Sequence, residues 1–121
     1  MEKKNIVREK SFAFALRIVK AYQFLTESKR EYVMSKQLLR SGTSVGANIE
    51  ESLQGQSRAD FISKLSIALK EAYETRFWIL LLRDSCYFSQ VEGTSLLSDI
   101  NEIIRLLVAI IKSSKENNSK H

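Results

Sequence analysis

Apolar residues recur along the chain at the three- and four-residue spacing of α-helices, in four blocks. The first block covers about residues 4–28 and carries Ile6, Val7, Phe12, Phe14, Leu16, Ile18, Val19, Tyr22 and Leu25. Between Phe12 and Leu25 only Arg17, Lys20 and Gln23 are strongly polar. A surface helix keeps much of its circumference polar, so this apolar surface exceeds one core-facing stripe. The excess needs a cover, and another subunit is the expected one.

The second block predicts a helix over 35–54, with Ser35 read as its N-cap and Gly55 as its stop. Its seam is read as Leu39, Gly42, Val45, Ile49 and Leu53. Gly42 and Gly46 each cost about 1 kcal/mol against alanine in a helix interior. With Ser41, Thr43, Ser44 and Ala47 beside them, they point to a closely packed neighbouring backbone, or else to a loop across 41–46. The third helix opens at Ser57, with Asp60 in the place of a capping-box acid. It continues through Phe61, Leu65, Ala68, Leu69, Ala72, Tyr73, Trp78 and Leu82, a length of roughly 40 Å. Asp84 and Ser85 close it, and 86–93 reads as the longest connection. A fourth helix starts near Thr94 or Ser95, and its seam of Leu97, Ile100, Ile104, Leu107 and Ile111 is the cleanest of the four. Four such helices with short connections predict an all-α fold, an antiparallel up-down-up-down four-helix bundle over residues 1–112. Residues 113–121, rich in Lys, Asn and Ser, read as a polar, disordered tail.

Composition agrees with one helical domain. The 121 residues include no proline and only 4 glycines, too few for the turns of a β-rich domain of this size. Cys86 is the single cysteine and His121 the single histidine, so an intrachain disulfide, a Cys/His metal cluster and a Ser-His-Asp triad are all excluded. The N-terminal residues lack a signal-peptide apolar core, and no run approaches about 18 uncharged apolar residues. The expectation is a cytoplasmic, non-enzymatic protein with no membrane contact, metal, cofactor or small-molecule substrate.

Charge narrows the picture further. The net charge is +5, and residues 1–40 hold ten basic and four acidic side chains. Lys3, Lys10 and Arg17 recur every seven residues, which keeps them on one helix face. Lys20 flanks that row, and Lys36 and Arg40 extend it from the second helix. Such a row fits RNA, DNA or another polyanion held by phosphate neutralisation without sequence reading. A solvated basic face is the plain alternative. Arg40, Ser44, Asn48 and Glu51 form a second pattern along one side of the second helix. They read as an exposed polar stripe, a polar line covered by a neighbouring subunit, or an enzymatic constellation across an interface. The segment around Gly42 and Gly46 lacks the Lys and the preceding strand of a phosphate-binding loop. Glu71 and Glu74 have no histidine at the offset a di-iron bundle uses, so ion pairing along the third helix is expected.

Two stretches resemble a known family: Leu39-Arg-Ser-Gly-Thr-Ser-Val-Gly-Ala-Asn-Ile-Glu-Glu51, and Phe61-Ile-Ser-Lys-Leu-Ser-Ile-Ala-Leu-Lys-Glu-Ala-Tyr-Glu-Thr-Arg-Phe-Trp-Ile79 with Leu82. They are similar to the bacterial four-helix bundle proteins encoded in intervening sequences of 23S ribosomal RNA genes, also called S23 ribosomal proteins. The resemblance implies a cytoplasmic antiparallel bundle that assembles into a ring-like homopentamer. A more distant similarity is to the accessory protein of diversity-generating retroelements, a basic pentamer that associates with nucleic acid and a reverse transcriptase. Arg40, Ser44, Asn48 and Glu51 match the family's second-helix motif, and Glu71, Glu74 and Trp78 its third. No catalytic role comes with them. Gly42 departs from the alanine that relatives often carry. A protein-binding scaffold without nucleic-acid contact is the alternative function.

Overall fold

The structure is a computed structural model, and it describes residues 5–119. Four helices follow one another: α1 Ile6–Glu27, α2 Met34–Ser52, α3 Arg58–Asp84 and α4 Gln90–Ser119. Each start has a local cause. The Asn5 side-chain oxygen accepts the Arg8 N–H at 3.0 Å, and Ser57 Oγ accepts the Asp60 N–H at 3.1 Å, as the capping pattern predicts. α2 is capped differently from the expectation. Its N-cap position is Val33, which has no capping side chain, and the Glu31 carboxylate takes over that role. Ser35 therefore lies inside the helix, buried.

The connection after α3 is shorter than 86–93. Cys86 adopts a left-handed backbone (φ 68°), while the N–H groups of Cys86 and Tyr87 donate to the carbonyls of Arg83 and Leu82. This is a Schellman stop with cysteine where glycine is usual. Ser89 Oγ then accepts the Glu92 N–H at 3.1 Å, so α4 opens at Gln90 and not near Thr94. Gly93 sits in the first turn of that helix, beneath Arg83. At its other end α4 runs on to Ser119, through the segment expected as a disordered tail. Ile111 and Ser114 are buried there, and that packing carries the helix past residue 112.

The contacts between helices fix the topology. Along α1 and α2, Ser11 meets Gly46 and Ile18 meets Gly42, so the pair runs antiparallel. Glu51–Lys64 and Arg40–Glu74 order α2 against α3 in the same way, as Arg83–Gly93 and Arg76–Asn101 do for α3 and α4. Lys10–Glu102 and Arg17–Asp99 close the cycle between α1 and α4. The fold is the antiparallel up-down-up-down bundle, with α1 and α3 on one diagonal. Among the described residues, no helix is long and apolar enough to cross a membrane.

Phe14, Ile18, Leu25, Leu38, Ile49, Leu65, Ile79, Leu82, Leu96 and Leu107 fill the centre, and the predicted α4 seam is buried throughout. Gly42, Val45 and Ile49 of the expected α2 seam are buried, but its two ends differ by one position, with Leu38 and Ser52 buried in place of Leu39 and Leu53. Leu38, Ser41, Val45, Ile49 and Ser52 face inward, whereas Leu53 is exposed. Small hydroxyl side chains hide the true seam: Ser52 Oγ donates to the Ile49 carbonyl, and Ser41 shares a 3.0 Å hydrogen bond with Thr75. No loop interrupts 41–46. Gly46 faces the Ser11 backbone, where a Cβ would stand 3.4 Å from the Ser11 carbonyl oxygen.

Gly42 is more confined. A Cβ there would lie 2.9 Å from both Cγ atoms of fully buried Ile18. Alanine gains about 1 kcal/mol of helix preference but forces an overpacked contact costing about 1–3 kcal/mol. The expected result for Gly42→Ala is a net loss of up to ~2 kcal/mol in urea unfolding. In an Ile18→Ala background, the same substitution should become stabilising. A stabilising Gly42→Ala in the otherwise intact chain would show that Ile18 shifts at no cost.

Candidate functional site

Three of the six predicted basic residues, Lys10, Arg17 and Arg40, are already paired with carboxylates within the chain. Lys10 Nζ lies 3.1 Å from Glu102, and Arg17 reaches Asp99 at 2.7 Å and Glu92 at 3.3 Å. These pairs tie α1 to α4. Arg40 leans from α2 onto α3, where it pairs with Glu71 at 3.1 Å and with Glu74. Lys20 and Lys36 are exposed, and neither has a carboxylate at ion-pair distance among the described residues. Lys3 lies outside the described residues. Exposed pairs of this kind contribute roughly 0.2–1 kcal/mol each, so their main effect is on local charge. Of the row that the heptad spacing gathers, the two described members, Lys10 and Arg17, form cross-helix ion pairs in the fold.

The Arg40 cluster is built around Glu74. Its carboxylate accepts the Trp78 indole N–H at 3.0 Å as well as the Arg40 guanidinium. The Trp78 hydrogen bond, followed by that of Arg40, holds the Glu74 carboxyl below the usual carboxylate range. Glu74 in turn raises the Arg40 pKa. The expected pairing along α3 is therefore replaced by a clasp between α2 and α3. Ser44 and Asn48 satisfy themselves on their own helix, donating to the carbonyls of Arg40 and Ser44 at 2.6 and 2.9 Å. Glu51 faces Lys64 at 3.8 Å. Arg40, Asn48 and Glu51 do not gather around a reacting atom, and neither of the cavities described below is lined by them.

The outward sides of α1 and α3 carry the other candidate surface. On α1, opposite its core-facing side, Phe12 is 67% exposed and Leu16 53%, with Val19 beside them. This is the apolar excess read from the sequence. On α3, Tyr73, Phe77, Leu80 and Leu81 are exposed, Phe77 at 55%. The sequence pattern places Tyr73 along the third helix without separating an outward apolar face from the core-facing side. A signal was present: residues 77–82 are six apolar side chains in succession, more than one side of a helix can hold. Because α1 and α3 sit on a diagonal, the two apolar faces point away from each other.

Two cavities open between α1 and its neighbours. One, about 220 Å³, is lined by the Lys10–Glu102 and Arg17–Asp99 pairs. The other, about 710 Å³, lies between the C-terminal half of α1 and the α3–α4 turn. Lys20 and Arg17 line it, together with Lys29 and Arg83, which the sequence pattern did not single out. Among the described residues, no group of three or more His, Cys, Asp or Glu side chains is gathered for a metal ion.

Known proteins place this arrangement in context. Among curated proteins, none matches the chain. A crystal structure of a protein of unknown function from the S23 ribosomal protein family of Bacteroides thetaiotaomicron is similar to it at 55% identity and a TM-score of 0.88. That similarity covers 88% of this chain and 99% of the other. The profile of the family described as 23S rRNA-intervening sequence protein matches residues 3–109. With that profile spanning all but the ends of the chain, and with the bundle shared, the protein belongs to the 23S rRNA-intervening sequence protein family.

Proposed function

We propose that the protein is a non-enzymatic, self-assembling bundle in which the outward face of α1 packs on the outward face of α3 of a second copy. The single observation behind this reading is the pair of exposed apolar faces on diagonal helices, Phe12–Leu16–Val19 and Tyr73–Phe77–Leu80. Large exposed apolar patches mark interaction sites, and two unlike patches on opposite sides of one subunit favour a head-to-tail contact. Repeated head-to-tail contacts close into a ring when the rotation between copies allows it. The homopentamer implied by the family resemblance is a ring of this kind. Light scattering on the purified chain tests the reading. Five copies of the 13.9 kDa chain give about 70 kDa, while a 13.9 kDa species at micromolar concentration would refute self-assembly.

Nucleic-acid contact is a second reading, supported by the net charge of +5 and by Lys20 and Lys36, exposed cations with no carboxylate partner among the described residues. Because Lys10, Arg17 and Arg40 already meet carboxylates, Lys20→Glu and Lys36→Glu should weaken RNA binding more than Lys10→Glu does. Retention measured against salt concentration checks this, since each lost phosphate contact lowers the logarithmic slope by about 0.7–0.9. Equal slopes for the wild type and the Lys20→Glu, Lys36→Glu double variant would remove this contact from the protein.

A further inference from the structure

The larger cavity has a chemistry that neither the self-assembly faces nor the ion-pair lines account for. Its volume of about 710 Å³ falls among those of small-molecule sites. Four cations line it, Arg17, Lys20, Lys29 and Arg83; Glu92 is the one carboxylate in the lining, while Asp99 and Asp84 pair with Arg17 and Arg83, so Lys20 and Lys29 supply its uncompensated charge among the described residues. Like charges collected around one concavity repel, and the same field concentrates an anion there. Phe24 and Tyr87 add aromatic surface to the same lining.

The fold holds these groups in place by separate means. Arg83 lies over the first turn of α4 because position 93 is glycine: a Cβ there would stand 2.6–2.9 Å from Arg83 Cβ, Cγ and Cδ. Its Nε donates to Asp84 at 2.9 Å, which steers the guanidinium. Lys29 Nζ sits 5.9 Å from the centroid of the Phe24 ring, within cation–π reach. Ser89 and Gln90 bring the N-terminus of the longest helix to the cavity wall. The first N–H groups of a helix lack intrahelical acceptors, and its dipole favours negative charge at that end.

We propose that this cavity binds a nucleoside phosphate, free or as the terminal nucleotide of an RNA. The phosphates lie among Lys20, Lys29, Arg17 and Arg83, and the base lies against Phe24 and Tyr87. Phosphate replaces Glu92 as a partner of Arg17, which keeps Asp99. The site needs no contact through Phe12 or Leu16, and a mononucleotide fills it without extended RNA.

Cys86 is the reporter. It is the single cysteine of the chain, exposed, and lines the cavity. The full-length protein is alkylated with iodoacetamide, a neutral reagent, and the modified fraction is followed by mass spectrometry. ATP, AMP, inorganic pyrophosphate and a short RNA carrying either a 5′-triphosphate or a 5′-hydroxyl are added in turn. Saturable slowing of Cys86 alkylation by ATP is the expected result, with pyrophosphate at least about tenfold weaker. Slowing by the 5′-triphosphate RNA but not by ATP supports the same site with an RNA end as its occupant. Lys20→Glu with Lys29→Glu, both on exposed side chains, should abolish the effect while leaving the circular dichroism unchanged. Gly93→Ala, which displaces Arg83, should weaken it several-fold. Protection by neither nucleotide nor phosphorylated RNA would overturn the proposal, as would protection that survives the double lysine variant. Equal protection by pyrophosphate and ATP would overturn the assignment of the base to Phe24 and Tyr87.

Discussion

Replacing Phe12 and Leu16 with glutamate is expected to convert the assembled protein into helical monomers of 13.9 kDa. Both side chains are more than half exposed in the isolated bundle, so the substitutions remove little internal packing. A monomer that keeps its full helical circular dichroism is therefore the specific prediction. Burying a large apolar side chain contributes roughly 1.5–3 kcal/mol, and glutamate in the same position adds the cost of an unpaired buried charge. Micromolar affinity corresponds to about 8 kcal/mol, and two such changes at each contact remove enough of it to leave the copies apart at that concentration. A head-to-tail contact makes a second demand. Phe77→Glu on α3 must disassemble the protein as completely as the α1 substitutions do, because each interface joins one α1 face to one α3 face. Mixing an α1 variant with an α3 variant should then yield dimers, since one intact face remains on each. Self-complementary pairing through α1 alone would leave Phe77→Glu assembled. Light scattering with circular dichroism separates these outcomes, and an unchanged mass for the Phe12→Glu, Leu16→Glu protein would refute the α1 contact.

How far the sequence reaches is clear from individual residues. The α4 seam and the Ser57–Asp60 cap were legible because each depends on neighbours three or four positions away, and such neighbours are visible in a linear pattern. The exposed apolar side of α1 was legible for the same reason. Ser35 was misread as a cap because its hydroxyl is the right type. Glu31, two residues before the N-cap Val33, reaches forward to do the capping. In α2, Gly42, Val45 and Ile49 were legible, whereas Ser41 and Ser52 were not, being polar by type yet buried by virtue of hydrogen bonds. Gly93 marked a loop to the eye, whereas its lack of a side chain makes room for Arg83. The basic row shows a different limit. Lys10, Arg17 and Arg40 find their acids 31 to 92 residues along the chain, and no spacing rule within one helix can register a partner on another. Glu71 and Glu74 were rightly read as ion-pairing side chains, but Arg40 supplies the partner. The large cavity was invisible for the same reason, since its walls come from α1, the end of α3 and the start of α4.

Glu31 offers the sharpest test of the fold itself. Its side chain is 9% exposed, and its carboxylate accepts the N–H groups of Val33, Met34 and Ser35 at 3.2, 3.1 and 2.7 Å. The Ser35 hydroxyl donates back to the Glu31 carbonyl at 2.7 Å. Burial opposes ionisation of this carboxyl, but the donors of Ser35, Met34 and Val33 outweigh it and hold its pKa below the ordinary 4.5. Glu31→Ala leaves the first turn of α2 without its cap and strands N–H groups away from water. A loss of about 2–3 kcal/mol is expected, read from urea midpoints at neutral pH. Glu31→Gln keeps one acceptor oxygen and should recover about half of that. The sign of the pH dependence follows from the depressed pKa. The carboxylate's stabilisation is fully present above the unfolded value and is lost as pH falls through the folded one. The advantage of the wild type over Glu31→Gln should thus shrink once the pH drops below 4.5. Glu74, also held low, titrates in both proteins and cancels in the comparison. A stability gap that stays constant from neutral to acid pH would mean that the charge of Glu31 does not cap α2, and that the oxygen's hydrogen bonds alone do so.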